Sequence, residues 1–206
     1  MLELLNSIAL SFDLPILNWI QANLQCAFLD YFMPFITFFG DGGIFWIACS
    51  VILLFFPKYR KAGLTMGLAL VMGLLVCNIT IKPLVGRTRP LDFAAVSNFP
   101  ALIPENVMRI WGEDFVVMHD FSFPSGHTIA SFEASVALLM YSRKLGIPAL
   151  ILGILVSLSR LYIFVHYPTD VLVSVVLGTL FAIIAYFIMK KVHFCDYKQG
   201  KYEKAA

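Results

Sequence analysis

Long apolar stretches are the feature that most constrains what this chain can fold into. Four of them come close to the roughly 20 residues that a helix needs to cross the hydrocarbon core of a bilayer. These four cover residues 62–82, 126–142, 147–166 and 168–189. Two more, residues 25–40 and 43–57, are weaker, because Asp30 and Pro34 interrupt the first and the second is short. The sequence therefore predicts an all-α, polytopic membrane helix bundle with six transmembrane helices, and with five as the alternative.

The composition supports a membrane protein. Of the 206 residues, 60% are hydrophobic and 14% are charged, whereas a soluble domain has about 25% charged residues. These values exclude a disordered chain, a nucleic-acid-binding platform and a water-soluble enzyme. The net charge of +2 is also too small for a surface that binds polyanions. We predict one integral membrane domain over residues 1–206, with an interfacial helix at residues 14–24 that places Trp19 at headgroup depth.

Basic residues predict the orientation, because short cytoplasmic loops carry an excess of Lys and Arg. If six spans begin and end in the cytoplasm, ten basic residues fall on that side. They are Lys58, Arg60, Lys61, Arg143, Lys144, Lys190, Lys191, Lys198, Lys201 and Lys204. The tail, residues 190–206, is then cytoplasmic, and residues 91–124 form an extracytoplasmic loop with one short helix that acts as a lid or rim. The outer side receives the other five, which are Lys82, Arg87, Arg89, Arg109 and Arg160.

Three polar motifs lie at the predicted outer ends of the spans and contain four of those five basic residues. The first is Lys82-Pro-Leu-Val-Gly-Arg87-Thr-Arg89-Pro90, and the second is Pro124-Ser125-Gly126-His127. The third runs from Ser159-Arg160 through His166 to Asp170. The predicted topology brings all three motifs to one membrane face.

The residue types in these motifs predict a site that binds and processes an anion. Lys82, Arg89 and Arg160 would place three cations around one cavity, which is favourable only if a multiply charged anion binds there. Ser125 and Gly126 fall at a predicted helix N-terminus, where free backbone N–H groups and the helix dipole favour a phosphate. We therefore assign these five residues to phosphate binding.

The two histidines of the motifs are suited to separate roles in phosphoryl transfer. Asp170 follows His166 by four residues, so its carboxylate can accept the Nδ1–H and leave Nε2 as a nucleophile. His127 can act as the general acid for the leaving oxygen. The predicted reaction is phosphoryl transfer to water through a phosphohistidine. Because the cations balance the charge, we predict no metal ion and no cofactor, and the four cysteines are too scattered for a metal cluster or a disulfide framework.

Together the three motifs resemble the signature of the type 2 phosphatidic acid phosphatase superfamily, which includes membrane lipid phosphatases, bacterial acid phosphatases and vanadium haloperoxidases. The resemblance implies His166 as nucleophile, His127 as acid and Asp170 as the residue that orients His166. It also implies a phosphate cradle made of Lys82, Arg89, Ser125, Gly126 and Arg160.

The membrane spans favour the lipid phosphatase branch of that superfamily. The expected activity is metal-independent dephosphorylation of a lipid phosphate or pyrophosphate, such as phosphatidic acid, phosphatidylglycerol phosphate or undecaprenyl pyrophosphate. The expected location is a bacterial inner membrane, with the site on the extracytoplasmic side and the lipid bilayer rather than nucleic acid as partner. The sequence does not separate these lipids from one another.

Two other functions are compatible with parts of the pattern. A non-catalytic protein that binds or transports anionic lipids would use the same cationic pocket, but it has no need for an imidazole oriented by Asp170. A haem or metal carrier that uses His127 and His166 is disfavoured by the surrounding positive charge.

Several charged residues have more than one interpretation. Arg87 is compatible with a snorkelling anchor at a span end, and Asp120 with a structural cap. We expect Arg109 and His119 to be solvated in the loop or paired at its rim. Glu133, in the middle of a span, either lies below the cavity and tunes the site or bonds to a polar neighbour such as Asn78.

Overall fold

The computed structural model describes residues 2–118 and 120–192, and throughout these residues the regular structure is helical, with no strand. The all-α prediction is therefore confirmed. His119, Cys195 and most of the predicted tail lie outside the described residues. The helices are α1 (Leu2–Ile8), α2 (Leu14–Leu24), α3 (Ala27–Thr37), α4 (Ile44–Leu54), α5 (Arg60–Gly73), α6 (Lys82–Val85), α7 (Pro90–Ser97), α8 (Glu105–Trp111), α9 (Gly126–Tyr141), α10 (Arg143–Tyr162) and α11 (Pro168–Lys191).

Within residues 2–118 and 120–192, four helical stretches are long and apolar enough to cross a membrane. They are Ala27–Leu54, Arg60–Ser97, Arg143–Tyr162 and Pro168–Lys191. The first of them overlaps both weak predicted spans, because α3 and α4 are joined only by a 3₁₀ segment, Phe38–Gly43. The predicted span at residues 126–142 forms α9, which has 16 residues. The count of six spans stays a prediction.

Helix α9 is the central helix of the bundle. It packs against α10, α11, α5 and α4, and it buries mostly small or hydroxyl-bearing side chains toward these neighbours. Small residues on the neighbouring helices permit the same close approach. A Cβ at Gly178 of α11 would lie 2.8 Å from the Ile129 carbonyl oxygen of α9. Because such helices pack closely, the N-terminus of α9 is held near the ends of α10 and α11.

The loop predicted at residues 91–124 is more ordered than one short helix. It contains most of α7, all of α8 and a 3₁₀ turn, Glu113–Phe115. Val107 and Val116 are buried there against Tyr162, Ile163 and Val165 at the end of α10. The prediction of a single helix was wrong. The many polar residues of this segment suggested a loop, but its few apolar residues pack against the bundle and order it.

The N-terminal residues add helical structure beside the same end of α10. The predicted helix at residues 14–24 corresponds to α2, and a π-helical segment, Ala9–Asp13, connects it to α1. Leu14 and Leu17 are buried, and the Gln21 side-chain amide donates to the Tyr162 carbonyl oxygen at 2.6 Å. These contacts bring Asp13, at the start of α2, next to Thr169 in the first turn of α11.

Candidate active site

The ends of several helices surround one cavity of about 580 Å³. Six of the eight predicted site residues line it, and they are Lys82, Arg89, Gly126, His127, Arg160 and His166. Each lies at a helix end or in an adjoining loop: in the first turn of α6, before α7, in the first turn of α9, in the last turn of α10 and before α11. The helix ends thus bring together residues that are far apart in sequence.

His166 is buried, with 1% of its surface exposed, and its two ring nitrogens face different groups. Nε2 lies 3.5 Å from an Arg89 guanidinium nitrogen. Nδ1 lies 3.4 Å from the Ser122 hydroxyl oxygen and 3.6 Å from Asp170 Oδ2. The predicted direct hydrogen bond from His166 to Asp170 is therefore not made, because 3.6 Å is too long for one. The Ser122 hydroxyl contacts both side chains and donates to Asp170 Oδ2 at 2.5 Å.

Burial and positive charge hold the pKa of His166 well below its ordinary value. Desolvation is the largest cause, followed by Arg89 and Arg160, with smaller contributions from His127 and Lys82. Both effects disfavour the imidazolium. His166 is therefore neutral near pH 7, and Nε2 keeps its lone pair.

Asp170 belongs to a buried charge network made of Asp13, Arg87, Ser122 and Asp170. Arg87 donates to Asp170 Oδ1 at 2.5 Å and to Asp13 Oδ2 at 2.7 Å. Its guanidinium also lies 3.7 Å from the centre of the Tyr167 ring. Arg87 is only 1% exposed, so the interpretation as a snorkelling anchor was wrong. One arginine compensates two buried carboxylates, and the network fixes the loop that carries His166.

Arg160 is a buried cation without a carboxylate partner among residues 2–118 and 120–192. One of its terminal nitrogens donates to the Thr37 hydroxyl at 2.8 Å, the other lies 3.4 Å from the Met118 sulfur, and Nε has no hydrogen-bond partner. Removing a guanidinium from water is costly unless an anion compensates it. An anion bound in the cavity would supply that compensation.

Lys82 and Arg89 both pair with Asp120, a residue that the sequence had indicated only as a structural cap. The Arg89 Nε donates to Asp120 Oδ1 at 3.1 Å, and an Arg89 terminal nitrogen donates to the Val165 carbonyl oxygen at 2.7 Å. Partial burial raises the pKa of Asp120, but hydrogen bonds and charge from Lys82 and Arg89 outweigh it and lower the pKa to about 2. Asp120 therefore pairs with two of the three cations of the cavity.

His127 lies in the first turn of α9 and contacts an acidic residue from a distant part of the chain. Its Nε2 is 2.7 Å from Asp41 Oδ1. Asp41 belongs to a Gly-rich turn, residues 40–43, in which Gly42 (φ 56°) and Gly43 (φ 68°) adopt the left-handed conformation that favours glycine. Gly40 lies against the ring, because a Cβ there would be 2.6 Å from His127 Cδ2.

Ser125 and Gly126 have different environments although they are neighbours. The Ser125 backbone N–H donates to the Ser174 hydroxyl at 2.8 Å, and its hydroxyl accepts from Thr128. Ser125 is fully buried and is not part of the cavity wall. Gly126 lines the cavity, and as the first residue of α9 it has a backbone N–H without a partner inside the helix.

Comparison with known proteins agrees with the motifs. The family model described as the PAP2 superfamily matches residues 62–194, well over half of the chain. The chain belongs to the PAP2 superfamily. A protein named undecaprenyl-diphosphatase from Sulfolobus acidocaldarius is 30% identical over 171 residues, which cover 82% of this chain and 75% of that protein. Undecaprenyl-diphosphatase BcrC from Bacillus subtilis is 32% identical over 157 residues, 74% of this chain and 73% of that protein.

A solved structure supports the fold of this PAP2 chain. The transmembrane PAP2-type phosphatidylglycerolphosphate phosphatase from Bacillus subtilis matches with a TM-score of 0.65. The alignment covers 94% of each chain at 24% sequence identity, so it shows a shared fold.

Three residues of this PAP2 site were not predicted from the sequence, namely Ser122, Asp41 and Asp13. Ser122 lies two residues before the second motif, which begins at Pro124, so its position was the available signal. Asp41 and Asp13 are isolated acidic residues in apolar surroundings, which is the pattern expected of a buried or functional carboxylate.

Glu133 lines the lower part of the cavity and is 1% exposed. Its Oε1 has no hydrogen-bond partner, and a Cβ at Gly73 would lie only 2.1 Å from that oxygen. Asn78 contacts the start of α9 instead, 3.0 Å from where a Cβ of Gly126 would be. The expected position below the cavity is therefore the one observed.

Proposed function

We propose that this PAP2 chain is a membrane lipid phosphatase that hydrolyses a lipid phosphate or pyrophosphate through a phosphohistidine. The observation that carries the proposal is one cavity lined by three cations and two imidazoles. Arg160 in particular is buried without a carboxylate partner among the described residues, which is the situation that a bound phosphate would compensate. The names of the relatives, undecaprenyl-diphosphatase and phosphatidylglycerolphosphate phosphatase, agree with this substrate class.

In the first half-reaction, Nε2 of neutral His166 attacks phosphorus. The N–P bond forms as the bond from phosphorus to the lipid oxygen breaks, and His127 gives its proton to that oxygen. For a monophosphate the product is a lipid alcohol, and for a pyrophosphate it is the lipid monophosphate. Lys82, Arg89 and Arg160 stabilise the charge on the non-bridging oxygens of phosphorus.

In the second half-reaction, water attacks the phosphohistidine. His127 accepts a proton from this water, the N–P bond breaks, and inorganic phosphate and neutral His166 are regenerated. The proton inventory closes over one cycle, because His127 gives one proton and recovers one. In this mechanism the side chains of the cation cluster (Lys82, Arg89 and Arg160) supply the positive charge that a metal ion would otherwise supply.

We further propose that Asp120 is displaced when substrate binds. Its carboxylate pairs with Lys82 and Arg89, and a phosphate needs the same donors. Because the Asp120 side chain is 56% exposed, it can rotate into solvent at little cost. At the N-terminus of α9, Gly126 would provide the free N–H for phosphate, and Ser125, whose own N–H donates to Ser174, would act as the N-cap that positions it.

The membrane arrangement that we propose has six spans, with α2 at the interface and residues 1–206 as one domain. The excess of basic residues places residues 190–206 and the C-terminus in the cytoplasm and the cavity on the extracytoplasmic side. Residues 91–124 then cover the outer end of the bundle. The apolar lower wall of the cavity, which includes Leu70, Val71 and Leu74, leads from the cation cluster into the bilayer for the lipid chain.

Phosphate release by the purified full-length protein tests the proposal. The substrates are phosphatidic acid, phosphatidylglycerol phosphate and undecaprenyl pyrophosphate in detergent micelles, each with EDTA present. We expect turnover of at least one lipid, inhibition by orthovanadate, and no turnover by His166→Ala. Equal release by the wild type and His166→Ala would contradict the phosphohistidine, and loss of wild-type activity in EDTA would contradict a metal-independent reaction.

A further inference from the structure

We propose that Asp41 is a positioning residue for the acid His127: it fixes the ring and stabilises the imidazolium that delivers a proton to the leaving oxygen. This inference rests on the proposed phosphatase function. Asp41 lies outside the three motifs, 86 residues before His127. It belongs to the turn between α3 and α4, which no part of the motif pattern assigns to the reaction.

The geometry of the contact between Asp41 and His127 fits this role. Asp41 Oδ1 lies 2.7 Å from His127 Nε2, the distance of a charge-assisted hydrogen bond. The Gly-rich turn makes this contact possible, since Gly40 leaves room for the ring and Gly42 and Gly43 reverse the chain with positive φ angles. A carboxylate on Nε2 determines which ring nitrogen carries the transferable proton: Asp41 accepts the Nε2–H, and Nδ1 carries the proton that goes to the lipid oxygen.

The positive charges around His127 make a nearby carboxylate favourable. His127 shares the cavity with Arg160 from α10, with Arg89 and Lys82, and with His166. A protonated imidazole beside these groups is repelled by every positive charge, yet the proposed mechanism needs this ring to be protonated when the lipid oxygen leaves. Asp41 is the carboxylate that contacts the ring among the described residues. Its negative charge therefore compensates the proton that His127 must carry.

The exposure of Asp41 also fits this role. The Asp41 side chain is 49% exposed and the His127 side chain 16% exposed. A carboxylate in contact with water is solvated and needs no arginine partner of its own. Asp41 can therefore assist the acid from the rim of the cavity while the space next to phosphorus remains open to substrate.

The test compares two leaving groups, because only a poor leaving group needs an acid. Dioctanoyl phosphatidic acid releases a strongly basic alkoxide, whereas p-nitrophenyl phosphate releases a weakly basic phenolate that leaves without a proton. We expect Asp41→Ala to lower kcat on the lipid about 10–100-fold, a part of the 10²–10⁴ that acid catalysis contributes. With p-nitrophenyl phosphate we follow single-turnover release of p-nitrophenol, which reports only the first half-reaction, and we expect a change of less than about threefold, because no acid is needed in that step.

Two further variants separate orientation from charge. Asp41→Asn keeps an oxygen that can accept the Nε2–H but removes the charge. We therefore expect its kcat on the lipid to lie between those of the wild type and Asp41→Ala. In the His127→Ala background, Asp41→Ala should cause no further loss, because both residues act through one ring. The matched control is Glu105→Gln, which changes another exposed carboxylate away from the cavity and should leave both activities unchanged.

The outcomes distinguish this inference from the proposed function. Equal losses on the two substrates, additive losses in the double variant, or a faster Asp41→Ala enzyme would each overturn the role of Asp41. A wild-type protein inactive on both substrates and on the lipid panel would overturn the proposed phosphatase function instead. Size-exclusion profiles of every variant in detergent show whether a loss reflects misfolding, and Asp41→Asn, which preserves size and shape, decides the matter if Asp41→Ala does not fold.

Discussion

The two histidines of the cavity are held in opposite ways. His166 is 1% exposed, and Ser122 and Asp170 lie beside its Nδ1, backed by buried Arg87 and Asp13. His127 is held at the other side of the cavity by Asp41, whose side chain is 49% exposed and lies in the Gly-rich turn. One imidazole is surrounded by a buried charge network, and the other is held by a single carboxylate in contact with solvent.

The difference follows from what each group does in the proposed mechanism. A nucleophile has to meet phosphorus in one geometry, so its support is rigid and desolvated. An acid that gives and recovers a proton in each cycle needs contact with water. It also needs a neighbouring carboxylate that can hold both the protonated and the neutral form of the ring. The two kinds of support therefore predict different consequences when they are removed.

The largest effect is expected from removing the nucleophile. His166→Ala should lower turnover of any lipid substrate by about 10⁴-fold or more, as loss of a covalent nucleophile does in other enzymes. His127→Ala should lose about 10²–10⁴-fold on the lipid and much less in single-turnover cleavage of an aryl phosphate, because the first half-reaction of an aryl phosphate needs no acid. Single-turnover release of the leaving group from both substrates measures the contrast. Equal losses for the two variants on the aryl phosphate would erase the distinction between the histidines.

Breaking the buried charge network should lower the stability of the protein more than removing an exposed charge does. Arg87→Met leaves Asp13 and Asp170 as two uncompensated buried carboxylates, which costs about 3–5 kcal/mol of stability for a broken buried pair. Unfolding in detergent, followed by heat or denaturant, measures the loss. Arg109→Met is the matched control, because Arg109 is an exposed arginine of α8 and should change stability by less than about 0.5 kcal/mol. A stable Arg87→Met protein would show that the network is dispensable.

Much of this site could be predicted from the sequence, because its chemistry resides in a few residue types at helix ends. Cations on the predicted outer side of a membrane protein are uncommon, so Lys82, Arg89 and Arg160 could be chosen as candidates, and the two histidines followed from their spacing. The helical structure could also be predicted from the sequence, since long apolar stretches have few other stable forms in a bilayer.

The partners of these residues could not be predicted, because pairing is decided by tertiary packing. Arg87 bonds to Asp13, 74 residues earlier, and His127 to Asp41, 86 residues earlier. The spacing of His166 and Asp170 indicated a direct hydrogen bond, but in the structure their side chains lie 3.6 Å apart and Ser122 contacts both of them. A short motif specifies which groups come together, and the fold determines which atoms bond.

The protonation state of His166 sharpens the comparison between the histidines. Its pKa is lowered by burial and by the nearby cations, so the neutral form is favoured. We expect the ring to remain neutral as the pH falls through 6.5, where an unperturbed histidine is half protonated. NMR of protein labelled with ¹⁵N-histidine measures this, and the spectrum of His166→Ala assigns the signal. A His166 signal that titrates with a midpoint at or above 6.5 would contradict the desolvated environment.

The smallest effect is expected at Asp120, the exposed carboxylate that pairs with Lys82 and Arg89. Asp120→Asn removes a negative charge that competes with phosphate for two cations, so orthovanadate and inorganic phosphate should inhibit more strongly. The gain should be about 2–5-fold, because a half-exposed pair is screened by solvent and contributes about 1 kcal/mol or less. Inhibition constants measured beside those of Glu105→Gln give the change. Weaker inhibition of Asp120→Asn would mean that Asp120 holds the two cations in place for phosphate rather than competing with it.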